Sequence, residues 1–312
     1  MKKTLITIVI MTVAVCAIAI TGGSFYMLDY SLAPDGQRRD TAYHYARLVE
    51  KHPEVRPWLD SLKAEGALRD TFVTMPSGER HHGYFVSRDS SRKVAVLIHG
   101  WRDNAIKFFY IARMYHQLLG YNVLMPDLHA HGLSEGEAAG MGWKERFDVL
   151  HWMEVAAERF RARDFVVHGV SMGAATTMNV SGEKMPACVE RVRFIEDCGY
   201  TSVWDEFSYQ VKAQFGLPDF PLMYTTSLLC QLRYGWSFQE ASPLRQVAKC
   251  PYPMLFIHGD SDTFVPSEMV ERLYDAKAQE KQLWITEGVE HALSCSQYPE
   301  AYLQHISQFI AE

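Results

Sequence analysis

A serine hydroxyl attacks a carbonyl only when a neighbouring base takes its proton and a third group holds that base in the right tautomer. One stretch of this sequence is built for such a serine. Gly169-Val170-Ser171-Met172-Gly173 follows Phe165-Val166-Val167-His168, which suits a buried parallel strand, and precedes Ala174-Ala175-Thr176-Thr177-Met178, which suits the start of a helix. Glycines two before and two after the serine let strand and helix close around a sharp turn. Ser171 is therefore expected at the tip of that turn with its hydroxyl presented.

Where a strand–turn–helix of this kind carries the serine, an acid and a histidine follow it along the chain, in that order. Of the thirteen histidines only His291 and His305 follow the candidate acids near residue 260. His291 lies in Gly288-Val289-Glu290-His291-Ala292, a loop after an apolar strand, and is the expected base; His305 falls inside the last helix and reads as a packing or surface residue. The acid should follow the strand 253–257, where His258-Gly259-Asp260-Ser261-Asp262-Thr263-Phe264-Val265-Pro266 offers two aspartates. The D-x-x-V-P spacing favours Asp262, with Asp260 the turn-former. Asp197, at the end of the strand 192–195, is a third candidate. The oxyanion of a tetrahedral intermediate needs two N–H donors. One is expected from Met172 and the other from Trp101, in the loop His99-Gly100-Trp101-Arg102-Asp103-Asn104, where Asp103 or Asn104 can cap the helix beyond.

Elements able to hold these residues can be read along the chain. Strands are expected over 71–75 and 84–86, joined by Pro76-Ser77-Gly78, and then over 94–98, 121–124, 165–168, 192–195, 253–257 and 283–286. Helices are expected over 106–119, 143–160, 267–278 and 299–310, and two more, broken at His52-Pro53, between 40 and 67. Continuous apolar strands alternating with helices imply an α/β domain whose mostly parallel, eight-stranded sheet is covered on both faces, with ligands at the carboxyl ends of its strands. Between Tyr200 and Ser242 the alternation stops for an aromatic-rich stretch that includes Trp204, Phe207, Phe215, Phe220 and Trp236.

At 312 residues, 48% hydrophobic and 22% charged, the chain is globular, and a net charge of −6 with scattered lysines and arginines argues against nucleic acid as a partner. Lys2-Lys3 precedes an uncharged stretch from Thr4 to Leu28, long enough to cross a bilayer with the lysines on the cytoplasmic side. An uncleaved anchor carrying an extracytoplasmic domain is expected, cleavage near Ala17-Ile18-Ala19 and release being the alternative, and Gly22-Gly23-Ser24 should break the helix near its end. The expected division is 1–28 anchor, 29–69 helical lead-in and 70–312 catalytic domain with an insertion at about 200–242. Five cysteines beyond the anchor leave room for one or two disulfides or for small buried hydrophobes. No zinc-type spacing, P-loop or dinucleotide-binding motif occurs, so neither metal nor cofactor is expected.

Taken together, the His99-Gly100 loop, the turn at Ser171, Asp262, His291 and Asp127-Leu128-His129-Ala130-His131-Gly132-Leu133-Ser134 resemble the α/β-hydrolases, in particular the bacterial serine aminopeptidase-like and esterase-like serine hydrolases, many with an N-terminal membrane segment. The family usually writes the last motif D-x-R-G-H-G-x-S; here His129 and Ala130 replace Arg and Gly. The resemblance runs from about Thr71 to the end and implies an insertion at 200–242 that caps the site. It implies cleavage of a small-molecule ester through an acyl-enzyme on Ser171. Amide or peptide cleavage and acyl transfer remain open with the same triad, as does a membrane-tethered binding protein without chemistry.

Overall fold

A computed structural model describes residues 2–88 and 91–312. Its sheet has eight strands: β1 (Leu68–Thr74), β2 (Arg80–Val86), β3 (Lys93–Ile98), β4 (Asn122–Pro126), β5 (Asp164–Val170), β6 (Arg191–Asp197), β7 (Met254–Gly259) and β8 (Lys281–Thr286). They lie in the order β1-β2-β4-β3-β5-β6-β7-β8, antiparallel from β1 to β4 and parallel through the rest. The central strands β3 and β5 are buried along almost their whole length, as their unbroken apolar runs require, and β5 ends at Ser171.

Twelve α-helices accompany the sheet among the described residues: α1 (Lys2–Leu32), α2 (Thr41–Lys51), α3 (Val55–Ala64), α4 (Phe109–Arg113), α5 (Glu145–Phe160), α6 (Met172–Ser181), α7 (Val203–Phe215), α8 (Leu222–Tyr234), α9 (Pro243–Val247), α10 (Glu268–Ala276), α11 (Ser294–Gln297) and α12 (Pro299–Ala311). One face of the sheet is covered by α5, α6, α9 and α10, whose Trp152, Met153, Met178, Val247 and Leu273 join Phe165, Val167 and Phe194. The other is covered by α2, α3, α4 and α12, through Leu48, Trp58, Leu62, Phe109, Ile306 and Phe309. Each fully buried side chain of this size stabilises the fold by roughly 1.5–3 kcal/mol. The two helices that precede β1 are thus part of the core.

Two expectations are corrected, and the alternative left open for the cysteines is decided. Gly22 and Gly23 do not break α1, which runs without interruption to Leu32. Two helical glycines cost about 1 kcal/mol each, but a Cβ at Gly23 would meet Leu222 at 3.2 Å, so this position serves close packing, and buried Ser24, Leu28 and Leu32 hold the end of the helix against the fold. All six cysteines are free, and Cys198, Cys230 and Cys250 are buried, so they act as small hydrophobes and not as disulfides. The single helix expected over 106–119 is three pieces, a 3-10 turn over Ala105–Phe108, α4, and a π-turn over Met114–Leu118.

Candidate active site

Ser171 stands between β5 and α6 at φ 58 and ψ −121, a backbone conformation that side-chain-bearing residues rarely adopt. The surrounding contacts impose it. A Cβ on Gly169 would lie 2.0 Å from the Gly173 carbonyl oxygen, and one on Gly173 would lie 2.0 Å from the carbonyl oxygen of Ile98. The Ser171 N–H donates to the Asp197 carbonyl at 2.8 Å, fixing the turn against β6. A second G-x-S-x-G, from Gly132 to Gly136, escaped the sequence reading. Its Ser134 is fully buried, and its hydroxyl donates to the Asp127 carbonyl at 2.6 Å and accepts from the His82 N–H at 2.9 Å, so that pattern is structural.

His291 comes to Ser171 from the loop after β8, with Nε2 2.8 Å from Ser171 Oγ and Nδ1 2.7 Å from Asp262 Oδ2. Asp262 Oδ1 accepts the N–H groups of Phe264 and Val265, both at 2.9 Å, so the carboxylate is oriented by the turn that carries it. Burial would raise the pKa of this carboxyl, but hydrogen bonds from His258 and His291 and the charge of His291 hold it well below the ordinary carboxylate range. His258, near the end of β7, also reaches this carboxylate. Its Nε2 lies 3.3 Å from Asp262 Oδ2 and 2.9 Å from the Val265 carbonyl, which makes it a second imidazole on the acid. A histidine four residues before an aspartate at a strand end was the available signal.

The remaining candidates are engaged elsewhere. Asp260 Oδ1 accepts from Ser261 and from the Gly288 N–H, the turn-former's role. His305 stacks on Trp284 with ring centroids 4.3 Å apart. Asp197 Oδ2 accepts the Tyr302 hydroxyl at 2.8 Å, at the end of a buried chain in which Tyr302 meets His168 at 2.9 Å and His168 meets Tyr115 at 3.2 Å. Burial pushes the Asp197 carboxyl up to about 6, opposed by that hydroxyl and by His258 and His291.

Trp101 and Met172 flank the serine. Met172 is the first residue of α6, so its N–H precedes any intrahelical acceptor, and neither it nor the Trp101 N–H has an acceptor among the described residues. A Cβ on Gly100 would lie 3.4 Å from Ser171 Cβ, so the loop passes close beside the serine. Asn104 is the residue that caps the turn beyond, its side chain accepting from the Ile106 N–H at 3.1 Å. The motif from Asp127 to Ser134 supports this loop from below. The Asp127 carboxylate accepts from the N–H groups of Ala105 and Leu133 and pairs with His82 Nδ1 at 2.8 Å.

Above the serine a largely apolar cleft encloses about 700 Å³, counting its open mouth. Its walls come from α7 and α8, and from the end of α1 through Met27, Tyr30 and Ser31. The contribution of α1 was not foreseen. The Trp101 indole N–H donates to the Ser31 carbonyl and the Arg102 guanidinium to the Tyr30 carbonyl, both at 2.8 Å, so side chains of the loop beside the serine cap the last turn of α1. Glu206 also faces the cleft, and burial pushes its carboxyl up to about 8, so it is neutral at pH 7. Among the described residues two groups have donor atoms within 4.8 Å of one another, as a metal site requires: Glu79-His81-His129, and Cys198-Asp262-His291. The second shares the hydrogen-bonded atoms of Asp262 and His291 described above.

Residues 95–304 match the model of the alpha/beta hydrolase family. The chain belongs to this family. It is 30% identical over 247 residues to the uncharacterized protein YqkD of Bacillus subtilis, covering 78% of this chain and 80% of that one. It is 23% identical over 208 residues to the lysophosphatidylserine lipase ABHD12 of Danio rerio, covering 64% of this chain and 51% of the relative. Among solved structures, the Pyrococcus furiosus esterase Pf2001 superposes with a TM-score of 0.63 at 21% identity, over 78% of this chain and 90% of the other. An acylaminoacyl peptidase of Pyrococcus horikoshii superposes with a TM-score of 0.58 at 16% identity, over 78% of this chain and 40% of the other. Family membership supports hydrolase activity, and the solved neighbours share the fold.

Proposed function

We propose that this α/β-hydrolase cleaves carboxylic esters through an acyl-enzyme on Ser171. The observation that carries the reading is the unbroken line from Ser171 Oγ through His291 to Asp262, at 2.8 and 2.7 Å. Asp262 accepts the Nδ1–H of His291, which leaves Nε2 as the acceptor facing the serine. As Ser171 attacks the acyl carbonyl, His291 takes the hydroxyl proton and the carboxylate stabilises the imidazolium. The oxyanion develops between the N–H groups of Met172 and Trp101. His291 then protonates the leaving alkoxide, the C–O bond breaks, and a water activated by the same imidazole releases the acid.

Ester is favoured over peptide by the cleft. It carries no Lys or Arg among its lining residues, and its Glu206 is neutral at pH 7, so nothing charged is available to bind a peptide terminus. Residues 2–19 of α1 are all exposed, consistent with a membrane anchor that holds the catalytic domain on the extracytoplasmic side, given Lys2 and Lys3 at the other end. Within that domain α7 and α8 form the cap. The test is hydrolysis of short p-nitrophenyl esters by the purified chain. Wild-type turnover that falls by at least about 10⁴ in Ser171→Ala is expected, and equal rates in the two proteins would overturn the reading.

A further inference from the structure

The end of α1 does more than tether the domain, because it is a wall of the cleft and lies against the cap. Gly23 meets Leu222, Ser24 Oγ lies 2.7 Å from Thr225 Oγ1, and Asp29 pairs with Arg233 at 3.5 Å. These pairings ascend together, so α1 and α8 run parallel, and the start of α8 is its end nearest the apolar part of α1. From Thr4 to Gly23 the helix rises about 30 Å, the thickness of a bilayer's hydrocarbon core. A spanning α1 therefore brings the start of α8 to the lipid surface, at the level where Phe25, Tyr26 and Tyr30 provide exposed aromatic rings.

At that level the cap exposes apolar side chains. Leu217 and Phe220 project from the α7–α8 turn, and Tyr224, Leu228 and Leu232 continue from Phe220 at intervals of four residues along one face of α8. Phe220 is 73% and Leu232 77% exposed, which in water is a poor use of a five-residue apolar stripe. No charged residue occurs from Phe220 to Leu232, and none in α1 from Thr4 to Leu28. Charge resumes on both helices at the same height, as the Asp29–Arg233 pair. Asp219 is the one acidic group beside the stripe; it is exposed and lies at headgroup height. With an ordinary helix tilt of about 20°, the near end of the stripe, at Leu217, Phe220 and Tyr224, meets the headgroup layer, while Leu228 and Leu232, about 12 and 18 Å farther along α8, stand above it.

One side of the cleft opens here. Of its lining residues Tyr30, Gln214, Phe215 and Phe264 are exposed, and the first three meet one another on this side: the Tyr30 hydroxyl donates to Gln214 Oε1 at 3.0 Å, and its ring lies edge-on to Phe215 at 5.8 Å. Behind them, Met27 and Met223 line the way inward to Ser171.

We propose that the substrate of Ser171 is a single-chain acyl ester lipid drawn from the leaflet on which the α7–α8 turn and the start of α8 rest, entering between α1 and α7. This rests on the serine-hydrolase reading above. The acyl chain passes from lipid to an apolar cleft without crossing water, and the polar alcohol stays at the surface. Ester and water give a fatty acid, which returns to the bilayer, and an alcohol, which leaves to the aqueous side. Parting Tyr30 from Phe215 and Gln214 opens the way.

The test uses the full chain in phosphatidylcholine vesicles with two substrates, soluble p-nitrophenyl butyrate and bilayer-borne 1-oleoylglycerol. The variant is the double substitution Leu217→Ser with Phe220→Ser, at two exposed positions of the α7–α8 turn outside the cleft. Wild type is expected to cleave both. The variant should keep p-nitrophenyl butyrate turnover within twofold, which also shows that it folds, and lose at least tenfold on 1-oleoylglycerol. Wild type cleaving the butyrate but not the oleoyl ester would overturn the lipid route and leave the hydrolase reading standing. Equal rates for wild type and variant on the oleoyl ester would also overturn the route. Failure on both substrates, with no fluorophosphonate labelling, would remove the hydrolase reading itself.

Discussion

Replacing Asp262 by asparagine removes one charge and changes almost no volume, and the structure dictates how the amide must sit. Asp262 Oδ1 accepts two backbone N–H groups, from Phe264 and Val265. An amide nitrogen there would face two donors, so the carbonyl oxygen must take the Oδ1 place and the NH₂ the Oδ2 place. The NH₂ then points at His291 Nδ1, 2.7 Å away, and at His258 Nε2, 3.3 Å away. Nδ1 of His291 can meet it only as an acceptor. The ring must therefore carry its proton on Nε2, facing Ser171, where it cannot take the hydroxyl's proton. The same substitution in serine proteases leaves geometry intact and lowers kcat by about 10⁴ through the wrong tautomer, so a fall of about 10³–10⁴ in kcat/KM is expected here. The assay is kcat/KM for p-nitrophenyl butyrate at pH 7 to 8, alongside the rate of fluorophosphonate labelling, which should fall in step. A loss under tenfold in both would refute the assignment of Asp262 as the residue that sets the tautomer of His291.

Further outcomes follow from the same contacts. The Asp262 carboxyl has a folded pKa below its unfolded value, so its stabilisation is complete above about pH 4 and lost as pH falls through the folded value. Thermal unfolding of Asp262→Asn should accordingly show a Tm deficit at pH 7 that narrows below pH 4. Glu206 has the opposite sign. With its folded pKa raised to about 8, the native state keeps a proton that the unfolded chain releases near pH 4, so stability falls as pH rises between those values. Glu206→Gln should raise Tm over wild type by more at pH 9 than at pH 5, and an equal gain at both would count against a neutral Glu206. Gly169→Ala places a methyl 2.0 Å from the Gly173 carbonyl oxygen, where only backbone can yield. A loss of about 3 kcal/mol or more is expected, read as a fall in Tm of roughly 6–12 °C for a chain this long, and an unchanged Tm would mean that the turn is slack.

Much of the site was legible because strong local rules meet there. Ser171 could be found because only glycines at 169 and 173 let strand and helix approach to backbone contact, and His291 because chain order left one loop histidine after the acid. Asp262 rather than Asp260 faces His291 because the turn into Val265-Pro266 directs its carboxylate inward, and the amides of Phe264 and Val265 hold it there. What stayed hidden depends on contacts between distant segments. Ser134 sits in the same five-residue pattern as Ser171, and only its hydrogen bonds to Asp127 and His82 tell the two apart. The path of α1 past Gly22-Gly23 is fixed by Leu222 and Thr225, some 200 residues away in sequence, which no local propensity can report. The break of the helix over 106–119 into three pieces has the same character. Its apolar period was real, and the capping at Asn104 and the Asp127 bond to Ala105 set how it begins.

The most direct measurement is mass spectrometry of the chain quenched during turnover of a slowly deacylating p-nitrophenyl ester, followed by peptide mapping. The expected result is an adduct of acyl mass on the peptide that carries Ser171, growing with the burst of p-nitrophenol and missing in Ser171→Ala. Ester turnover with no acyl adduct, or an adduct on any residue other than Ser171, would contradict it.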